Sequence, residues 1–296
     1  MRNRKNEIYY NALVLPGMIF LVIFSIIPMF GAVIAFKNFV PAKGIFASDW
    51  VGLKHFHNMF NRAEVRNVMF NTVFLAVTKI VLNLIVPVIF AILLNEIKSL
   101  AYKRVLQTMV YLPHFLSWVI LGIMFSNIFS YNGMFNKFVG IFGVQPKMHM
   151  IDNASFRPIL IFTDVWKNFG YGAIIYIAAI LNIDPNIYEA AEIDGANRWH
   201  RIIHITLPGI RGTVILMATL ALGNVLNAGF EQVFAMYSPL VYQTGDIIDT
   251  YVYRMGLTKM QYSFSTAVNL FKSGVSFILI TGSYILANKF AGYSIF

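Results

Sequence analysis

The sequence predicts an all-α, polytopic membrane protein, and its composition and apolar runs are the reasons. Of the 296 residues, 58% are hydrophobic and only 12% are charged, and the mean hydropathy is +0.65. A soluble domain carries about twice that fraction of charged residues. Six runs are long enough to cross a bilayer, which takes roughly 20 residues. Because backbone groups in lipid must bond internally, these runs are predicted helices.

The six predicted spans form one transmembrane domain over residues 1–296, with no separate soluble domain. A cleaved signal peptide is not expected, since the first run is itself long enough to span. Six spans place both chain ends on one side of the membrane. Basic residues are balanced between the two sets of connecting segments, so the positive-inside rule only weakly favours cytoplasmic ends. The spans are Ala12–Phe36, Val68–Leu94, Val105–Phe129, Ile159–Leu181, Thr213–Phe230 and Ala267–Ala287.

Charge and residue types exclude several classes of function. The net charge of +10 is spread over short loops beside apolar runs, which favours anionic membrane lipids over nucleic acid as partners. There is no cysteine, so disulfides and cysteine metal sites are excluded. A phosphate-binding glycine loop is missing, so this chain is not expected to hydrolyse ATP. His200 and His204 stand in H-R-I-I-H, where the arginine disfavours a metal, and no catalytic or metal site is predicted.

A charged stretch at residues 184–208 separates the fourth and fifth predicted spans. Asp184 followed by Pro185 indicates a helix start. That helix is predicted to run to about Asp194 and to end at Gly195 in the left-handed conformation.

A second short helix is predicted from Ala196 to about Ile205, and Pro208 is predicted to open a new helix. Trp199, Ile202 and Ile203 then share one apolar face. Two short helices joined at a glycine make a projection too polar for lipid.

The spacing in this stretch resembles the EAA loop of permease subunits of bacterial binding-protein-dependent ABC importers. Glu189-Ala190-Ala191 is followed three residues later by Gly195, and nine residues after that by Ile205-x-Leu207-Pro208. Other stretches resemble the carbohydrate-uptake branch, in particular permeases for complex oligo- and polysaccharides such as alginate. They include WVGLKHF at Trp50, LLNEIKS at Leu93, QTMVYLPHFLSW at Gln107 and LNAGFEQVFAMYSPLVY at Leu226.

The resemblance implies a transport subunit of the inner membrane that works with partners. These are a second related permease, an ABC ATPase dimer that binds ATP and magnesium, and an extracytoplasmic solute-binding protein. The loop at 184–208 then faces the cytoplasm and couples ATP hydrolysis to the spans. The residues it assigns to coupling are Glu189, Ala190, Ala191, Asp194, Gly195, Ile205, Leu207 and Pro208.

Polar residues within the spans are candidates for the substrate path, because ionisable groups at membrane depth are costly and usually functional. Lys79 and Lys272 can line a path for an anionic sugar or bond backbone carbonyls. Lys167 is expected to pair with Asp164 at i, i+3.

In the fifth predicted span, Asn224, Asn227 and Glu231 fall on one helical stripe. This stripe, with tyrosines such as Tyr253, is predicted to line the path, although helix packing explains it equally well.

Three alternatives remain open. The cargo can be glycerol phosphate, an amino acid or a metal. The chain can be a polytopic membrane enzyme, although its acidic residues show no motif. It can also be a structural subunit with no path of its own.

Overall fold

A computed structural model describes residues 4–291, and nearly all of their regular structure is helical. The first helix, α1, spans Arg4–Leu21 and continues through a π turn at Val22–Ile26, a turn at Ile27–Met29 and a 3-10 segment at Phe30–Phe36. Its residues 10–30 are all exposed and almost all apolar. A continuous apolar surface of this extent is typical of contact with lipid or with another protein.

A short ribbon and fourteen further helices follow within the described residues. In the ribbon, β1 (Lys37–Asn38) pairs antiparallel with β2 (Asp49–Trp50), with Lys37 opposite Trp50. The helices are α2 (Gly44–Ala47), α3 (Lys54–Asn61), α4 (Ala63–Asn95), α5 (Leu100–Tyr111), α6 (Trp118–Ile128), α7 (Met134–Gly140), α8 (Asn153–Leu181), α9 (Pro185–Ile193), α10 (Arg198–Arg201), α11 (Leu207–Leu222), α12 (Phe230–Met236), α13 (Tyr242–Gly245), α14 (Ile248–Tyr253) and α15 (Tyr262–Ala291).

The contacts divide the chain into two compact units. One contains the residues up to Val65 together with Tyr251–Ser273. Inside this unit the guanidinium carbon of Arg62 lies 4.1 Å from the ring centroid of Phe264, and the backbone N–H of Phe39 donates to Ser263 Oγ at 2.9 Å. Cation–π and hydrogen-bond contacts therefore tie the ribbon segment to the start of α15.

The other unit contains Arg66–Thr250 and, among the described residues, 274–291, and it is built around α8. Two apolar clusters lie along this helix, one at each half. The first includes Leu121, Phe125, Phe156, Leu160 and Val233, and the second includes Ala91, Ala173, Tyr176, Ile180 and Ile210.

Four helical runs among the described residues are long and apolar enough to cross a membrane. They are Tyr10–Phe36, Ala63–Asn95, Arg198–Leu222 and Tyr262–Gly282, and the bent pair Leu100–Phe115 and Trp118–Ile128 makes a fifth candidate. Helix α8 has 29 residues, but polar side chains such as Asp164 and Lys167 lower its hydropathy. An α-helical membrane fold is therefore observed, while the count of six spans stays a prediction.

The third predicted span is not one helix. The chain bends by 104° between Leu100–Phe115 and Trp118–Ile128. Pro113 lies in a 3-10 turn, Leu116 is extended, and Ser117 caps the next helix by accepting from the backbone N–H of Ile120. Proline and a new N-cap within five residues explain the break.

The fifth predicted span, Thr213–Phe230, is also wrong as a continuous helix. Helix α11 ends at Leu222, and residues 223–229 are not regular helix. Gly229 has φ +89°, a conformation that favours glycine, and α12 begins at the next residue. The stripe expected for Asn224, Asn227 and Glu231 therefore does not exist, because these residues do not share one helix.

Candidate functional site

The charged stretch forms a helix–turn–helix projection, as predicted. Helix α9 begins as expected, because Asp184 Oδ1 accepts a hydrogen bond from the backbone N–H of Asn186 at 3.0 Å. Glu189 and Ala190 are exposed on this helix, and Ala191 is half-buried. A carboxylate beside two small side chains leaves a surface that a partner groove can approach closely.

The turn after α9 is made by Gly195, which has φ +81°. The backbone N–H of Ala196 donates to the Ala191 carbonyl at 2.9 Å, and that of Gly195 donates to the Glu192 carbonyl at 3.1 Å, so the helix end is closed by its own backbone. Both Asp194 and Gly195 are exposed.

The second arm differs from its prediction. Its helix begins at Arg198, where Asn197 caps it, and it does not stop at Ile205. A π turn at Ile202–Thr206 leads directly into α11, so Pro208 lies inside a continuous helical run. Proline has no N–H to donate, and the wider π turn just before it lets the run continue.

Side chains of the second arm are mostly accessible. Ile205 is half-buried, while Leu207 and Pro208 are exposed. Of the predicted apolar face, Ile202 packs against the second apolar cluster, but Trp199 and Ile203 are exposed. The face is therefore split between the core and the surface.

Two contacts hold the arms together. Tyr188 Oη and Thr206 Oγ1 are 2.9 Å apart, and Arg201 Nη1 lies 3.2 Å from Glu192 Oε2. The base of the projection is also close-packed, because a Cβ on Gly209 would lie 2.6 Å from a side-chain carbon of Ile183. The two arms of the projection are therefore held to each other, and its base packs tightly where α8 and α11 meet it.

A polar cavity of about 480 Å³ lies midway along α4, in the unit built around α8. Its walls come from α4, α8, the end of α11 and the irregular segment 223–229. The polar lining residues are Lys79, Asn83, Asp164, Tyr176, Asn224 and Asn227.

Lys79 is the centre of the polar network in this cavity wall. It is only 5% exposed, and its ammonium donates to the Ala228 carbonyl at 2.7 Å and to Gln232 Oε1 at 2.5 Å. Asp164 Oδ1 lies 3.8 Å away. Gln232 is fully buried and is itself fixed, since its Nε2 donates to the Leu160 carbonyl at 2.7 Å.

The expected Asp164–Lys167 pair is replaced by other contacts. Asp164 lies beside Lys79 and accepts from Asn83 Nδ2 at 2.8 Å. Lys167 donates instead to the Leu116 carbonyl at the bend after α5, and its ammonium lies 4.9 Å from the Trp118 ring. Of the two roles open for Lys79, the structure supports bonding to a backbone carbonyl.

The structure brings together three of the six predicted path residues. Lys79, Asn224 and Asn227 line the cavity. Glu231 is exposed on the first turn of α12 and does not line it. Tyr253 and Lys272 lie in the other unit, in α14 and α15.

Sequence reasoning missed Asn83, Asp164 and Gln232 as members of the site. Asn83 stands at i+4 from Lys79, so the two polar residues share one face of an otherwise apolar helix. That spacing was a usable indication. Nothing local marks Asp164 or Gln232 as partners of Lys79, because their contacts depend on the packing of distant segments.

A second polar cluster fixes the segment between α7 and α8. His149 is buried, with Nε2 2.9 Å from Asn136 Oδ1 and Nδ1 3.2 Å from Ser155 Oγ. Burial, together with the charge of Lys147, lowers the pKa of His149 below its usual 6.5. Hydrogen bonds from Lys147, Ser155 and the Ala154 N–H hold the pKa of Asp152 well below its usual range.

These features define a class of protein. Long apolar helices, a broken helical run beside a polar cavity, and an exposed two-helix projection between α8 and α11 characterise a membrane transport subunit. Within the described residues, no group of three or more His, Cys, Asp or Glu is arranged to hold a metal.

Residues 83–292 match the family of the binding-protein-dependent transport system inner membrane component, and the chain belongs to this family. It resembles Protein LplB of Bacillus subtilis (strain 168), with 41% identity over 97% of this chain and 90% of that protein. It also resembles the polygalacturonan/rhamnogalacturonan transport system permease protein YteP of the same strain, with 38% identity over 97% and 90% of the two chains.

Solved structures agree with these relatives. A chain from the crystal structure of a bacterial ABC transporter involved in the import of the acidic polysaccharide alginate superposes with a TM-score of 0.89. It has 33% sequence identity and 97% of each chain is covered. A chain of the bacterial alginate ABC transporter in complex with an alginate pentasaccharide-bound periplasmic protein gives 0.88, also at 33% identity. The predicted family, the membrane permease fold and the role of transport subunit are thereby confirmed.

Proposed function

We propose that this permease subunit imports oligosaccharides, together with a second related permease, an ABC ATPase dimer and an extracytoplasmic solute-binding protein. The polar cavity midway along α4, beside the irregular segment 223–229, carries the proposal. Discontinuous helices near the bilayer midplane are where transporters bind their cargo. The names of the relatives, which include transport of polygalacturonan, rhamnogalacturonan and galactooligosaccharides, support a saccharide cargo.

The projection at 184–208 is the coupling segment in this proposal. Glu189, Ala190 and Ala191 enter a groove on the ATPase, and the Gly195 turn sets the angle between the two arms. ATP and magnesium bind to the ATPase and not to this chain. Closure of the ATPase pair then moves α8 and α11, which carry two walls of the cavity, and the cavity opens alternately to each side.

The orientation follows from this assignment. The coupling segment faces the cytoplasm, and both chain ends lie on that side if six spans are formed. The chain ends themselves lie outside the described residues.

An uptake assay tests the cargo. The four kinds of subunit are reconstituted in proteoliposomes with ATP inside, and pectin- and alginate-derived oligosaccharides are offered outside with the binding protein. Mass spectrometry of the lumen should find oligosaccharides that accumulate only with ATP. Accumulation of glycerol phosphate or amino acids, with no saccharide, would contradict the proposed cargo.

Glu189→Lys and Gly195→Pro test the coupling segment in the same liposomes. Both should abolish uptake while insertion into the membrane is unchanged, and Glu189→Lys should also release the ATPase during purification. Glu64→Lys makes the same charge change at the exposed first turn of α4, and it should keep the ATPase bound. Normal uptake by either coupling variant would refute the assignment.

A further inference from the structure

A second cavity of about 480 Å³ lies between α4, the start of α8 and α13. We call it the arginine pocket, and its lining includes Phe74, Arg157, Pro158, Ile161 and Gln243. It shares no lining residue with the polar cavity, and all of its lining belongs to the unit built around α8. Arg157 is the one charged residue in this lining, so the pocket is positively charged.

The guanidinium of Arg157 is held in place but is not neutralised. Its Nε donates to the Thr244 carbonyl at 3.1 Å, and its Nη2 donates to Asn71 Oδ1. A guanidinium has five N–H groups, and the remaining ones have no acceptor within the described residues. No carboxylate of the described residues lies within ion-pair distance of Arg157. Its Nη1 is not among the atoms that lack a partner and are shielded from solvent, so this group can be reached from the pocket.

Gln243 adds a second unused polar group to the same pocket. Its side chain is exposed and makes no hydrogen bond within the described residues. Its backbone carbonyl is used instead, since it accepts from the side chains of Asn67 and Asn71. The arginine pocket therefore offers a cation and an amide to a ligand that is anionic and accepts hydrogen bonds.

A larger cavity of about 560 Å³ borders the arginine pocket and is lined only by apolar and aromatic residues. We call it the apolar pocket, and its lining includes Met124, Phe125, Pro158, Phe162 and Trp166. Pro158 lines both pockets, so they meet at the second turn of α8. Phe162 is 59% exposed, so the apolar pocket is open to the surroundings of the helix.

The arginine pocket lies near one end of the apolar part of α4. The guanidinium carbon of Arg157 is 5.4 Å from the ring centroids of both Phe70 and Phe74. The membrane span predicted from the sequence begins at Val68, shortly before these rings. Arg157 is therefore placed near the depth of lipid headgroups.

Helix α8 leads from Arg157 toward the middle of the membrane. Asp164, further along α8, lies 3.8 Å from Lys79 near the middle of α4. Trp166 is about 13 Å beyond Arg157 at 1.5 Å per residue. One half of the hydrocarbon core is about 15 Å thick, so the apolar pocket lies within the acyl-chain depth of one leaflet.

We propose that these two pockets form one binding site for an anionic phospholipid. Arg157 and Gln243 bind its phosphate and headgroup, because arginine matches phosphate oxygens with paired N–H groups. One acyl chain passes Pro158 and fills the apolar pocket. Basic pockets between membrane helices bind lipid headgroups in this way.

The apolar pocket favours a lipid over other anions. A carboxylate of a sugar or of a protein side chain satisfies Arg157 equally well, but it has no apolar chain for the neighbouring cavity. A phospholipid supplies both parts in one molecule, at the separation that the bilayer imposes. The proposal does not depend on the cargo, so the uptake assay tests the proposed function separately.

Trp166 provides a direct signal for an acyl chain in the apolar pocket, because brominated chains quench tryptophan on contact. The complete permease–ATPase complex is reconstituted in phosphatidylcholine liposomes that contain a minor fraction of chain-brominated phosphatidylglycerol. The signal is the part of the quenching that Trp166→Phe abolishes. It should show phosphatidylglycerol enriched by about tenfold over its bulk fraction, as expected for a charge-assisted contact to phosphate. Occupancy equal to the bulk fraction would overturn the proposal.

Arg157→Gln tests the headgroup contact. The enrichment should fall to about that of phosphatidylcholine, since the amide has no charge. Arg211→Gln is the matched control, because it removes an exposed charge of α11 that lines neither pocket, and it should keep the wild-type enrichment. Enrichment that persists in Arg157→Gln would also overturn the proposal.

Gln243→Ala decides the matter if Arg157→Gln does not assemble. Its side chain makes no bond within the described residues, so thermal stability should not fall. The enrichment should weaken by about two- to tenfold, which corresponds to one hydrogen bond. Gln261→Ala is the control, since Gln261 is also exposed, also uses its backbone carbonyl as an acceptor, and lines neither pocket. Unchanged enrichment in Gln243→Ala would contradict the proposed headgroup site.

Two competitors distinguish the lipid from other anions. Inorganic phosphate and α-1,4-trigalacturonate both carry the charge but lack an acyl chain, so neither should reduce the Trp166 quenching. Displacement by phosphate would show a site for free anions only, and displacement by trigalacturonate would place the cargo at Arg157. Either result would overturn the assignment to a lipid.

Discussion

Replacing Lys79 by methionine separates a structural role from a role in anion binding. Methionine keeps an unbranched stem of similar length but removes the ammonium. The Ala228 carbonyl and Gln232 Oε1 lose their donor, and Asp164, whose side chain is 14% exposed, loses its partner. If Lys79 only attracted an anionic cargo, the folded protein would not depend on it.

The expected cost follows from these contacts. Each buried acceptor left without a donor costs about 1–3 kcal/mol. Removing one partner of a buried ion pair costs about 3–5 kcal/mol, because the other charge stays buried. These contributions overlap, so we expect Lys79→Met to lower the free energy of unfolding by about 3–5 kcal/mol.

The assay is reversible unfolding in mixed detergent micelles, followed by tryptophan fluorescence. Lys167→Met is a matched control, since the hydrogen bond from Lys167 goes to a neutral acceptor, the Leu116 carbonyl. It should lose only about 1–3 kcal/mol. Adding Asp164→Asn to Lys79→Met should recover part of the loss by removing the unpaired charge. A loss below about 1 kcal/mol in Lys79→Met, or a further loss in the double variant, would refute this reasoning.

Three other predictions concern the projection and the segment before α8. Gly195→Ala should reduce ATP-coupled uptake, because the left-handed backbone costs alanine about 1–2 kcal/mol. No atom lies within 4 Å of the new Cβ, so a steric clash adds nothing to this cost. Gly195→Asn should retain more uptake than Gly195→Ala, and equal uptake by the two variants would contradict this reasoning. Tyr188→Phe should speed hydrogen exchange across residues 185–206, since the bond to Thr206 is worth about 0.5–1.5 kcal/mol; unchanged exchange would show that the bond does not hold the arms. The segment at 134–155 should lose stability as pH falls below about 6.5. Below that pH, His149 binds a proton in the unfolded segment more readily than in the folded one, where its pKa is lowered. The pKa of Asp152 is also lowered in the folded state, so its protonation adds a further loss only below about pH 3.8. Hydrogen exchange at pH 7 and pH 5, corrected for intrinsic rates, measures this, and His149→Gln should abolish the difference.

The features predicted correctly from sequence are those with local causes. Asp184 and Pro185 start α9, and Gly195 ends it, because capping and backbone conformation depend on a few neighbouring residues. The apolar composition likewise indicated membrane helices before any packing was known. The family could be predicted from the sequence for the same reason, since the EAA spacing is a local pattern.

The features that were missed depend on distant contacts. The fifth predicted span, Thr213–Phe230, was interpreted as one helix, but α11 ends at Leu222, and the Ala228 carbonyl that follows accepts a hydrogen bond from Lys79. The rule for helix neighbours paired Asp164 with Lys167, whereas packing placed Asp164 against α4. Neither outcome is encoded by spacing within one segment.

The burial of Lys79 has a consequence for biogenesis. Lys79 enters the membrane with α4, yet the Ala228 carbonyl that it bonds is synthesised 149 residues later. A lysine at the centre of a membrane helix costs about 2.5–3.5 kcal/mol at insertion, which the apolar remainder of α4 offsets. Until α8 and the segment after α11 emerge from the ribosome, α4 therefore lies in lipid or in the insertion machinery while the Lys79 ammonium has no partner from those segments. The hydrogen bonds of Lys79 on α4 therefore form only after later segments have been synthesised. A chain truncated before residue 228 should leave Lys79 without this acceptor and expose α4 to membrane quality control.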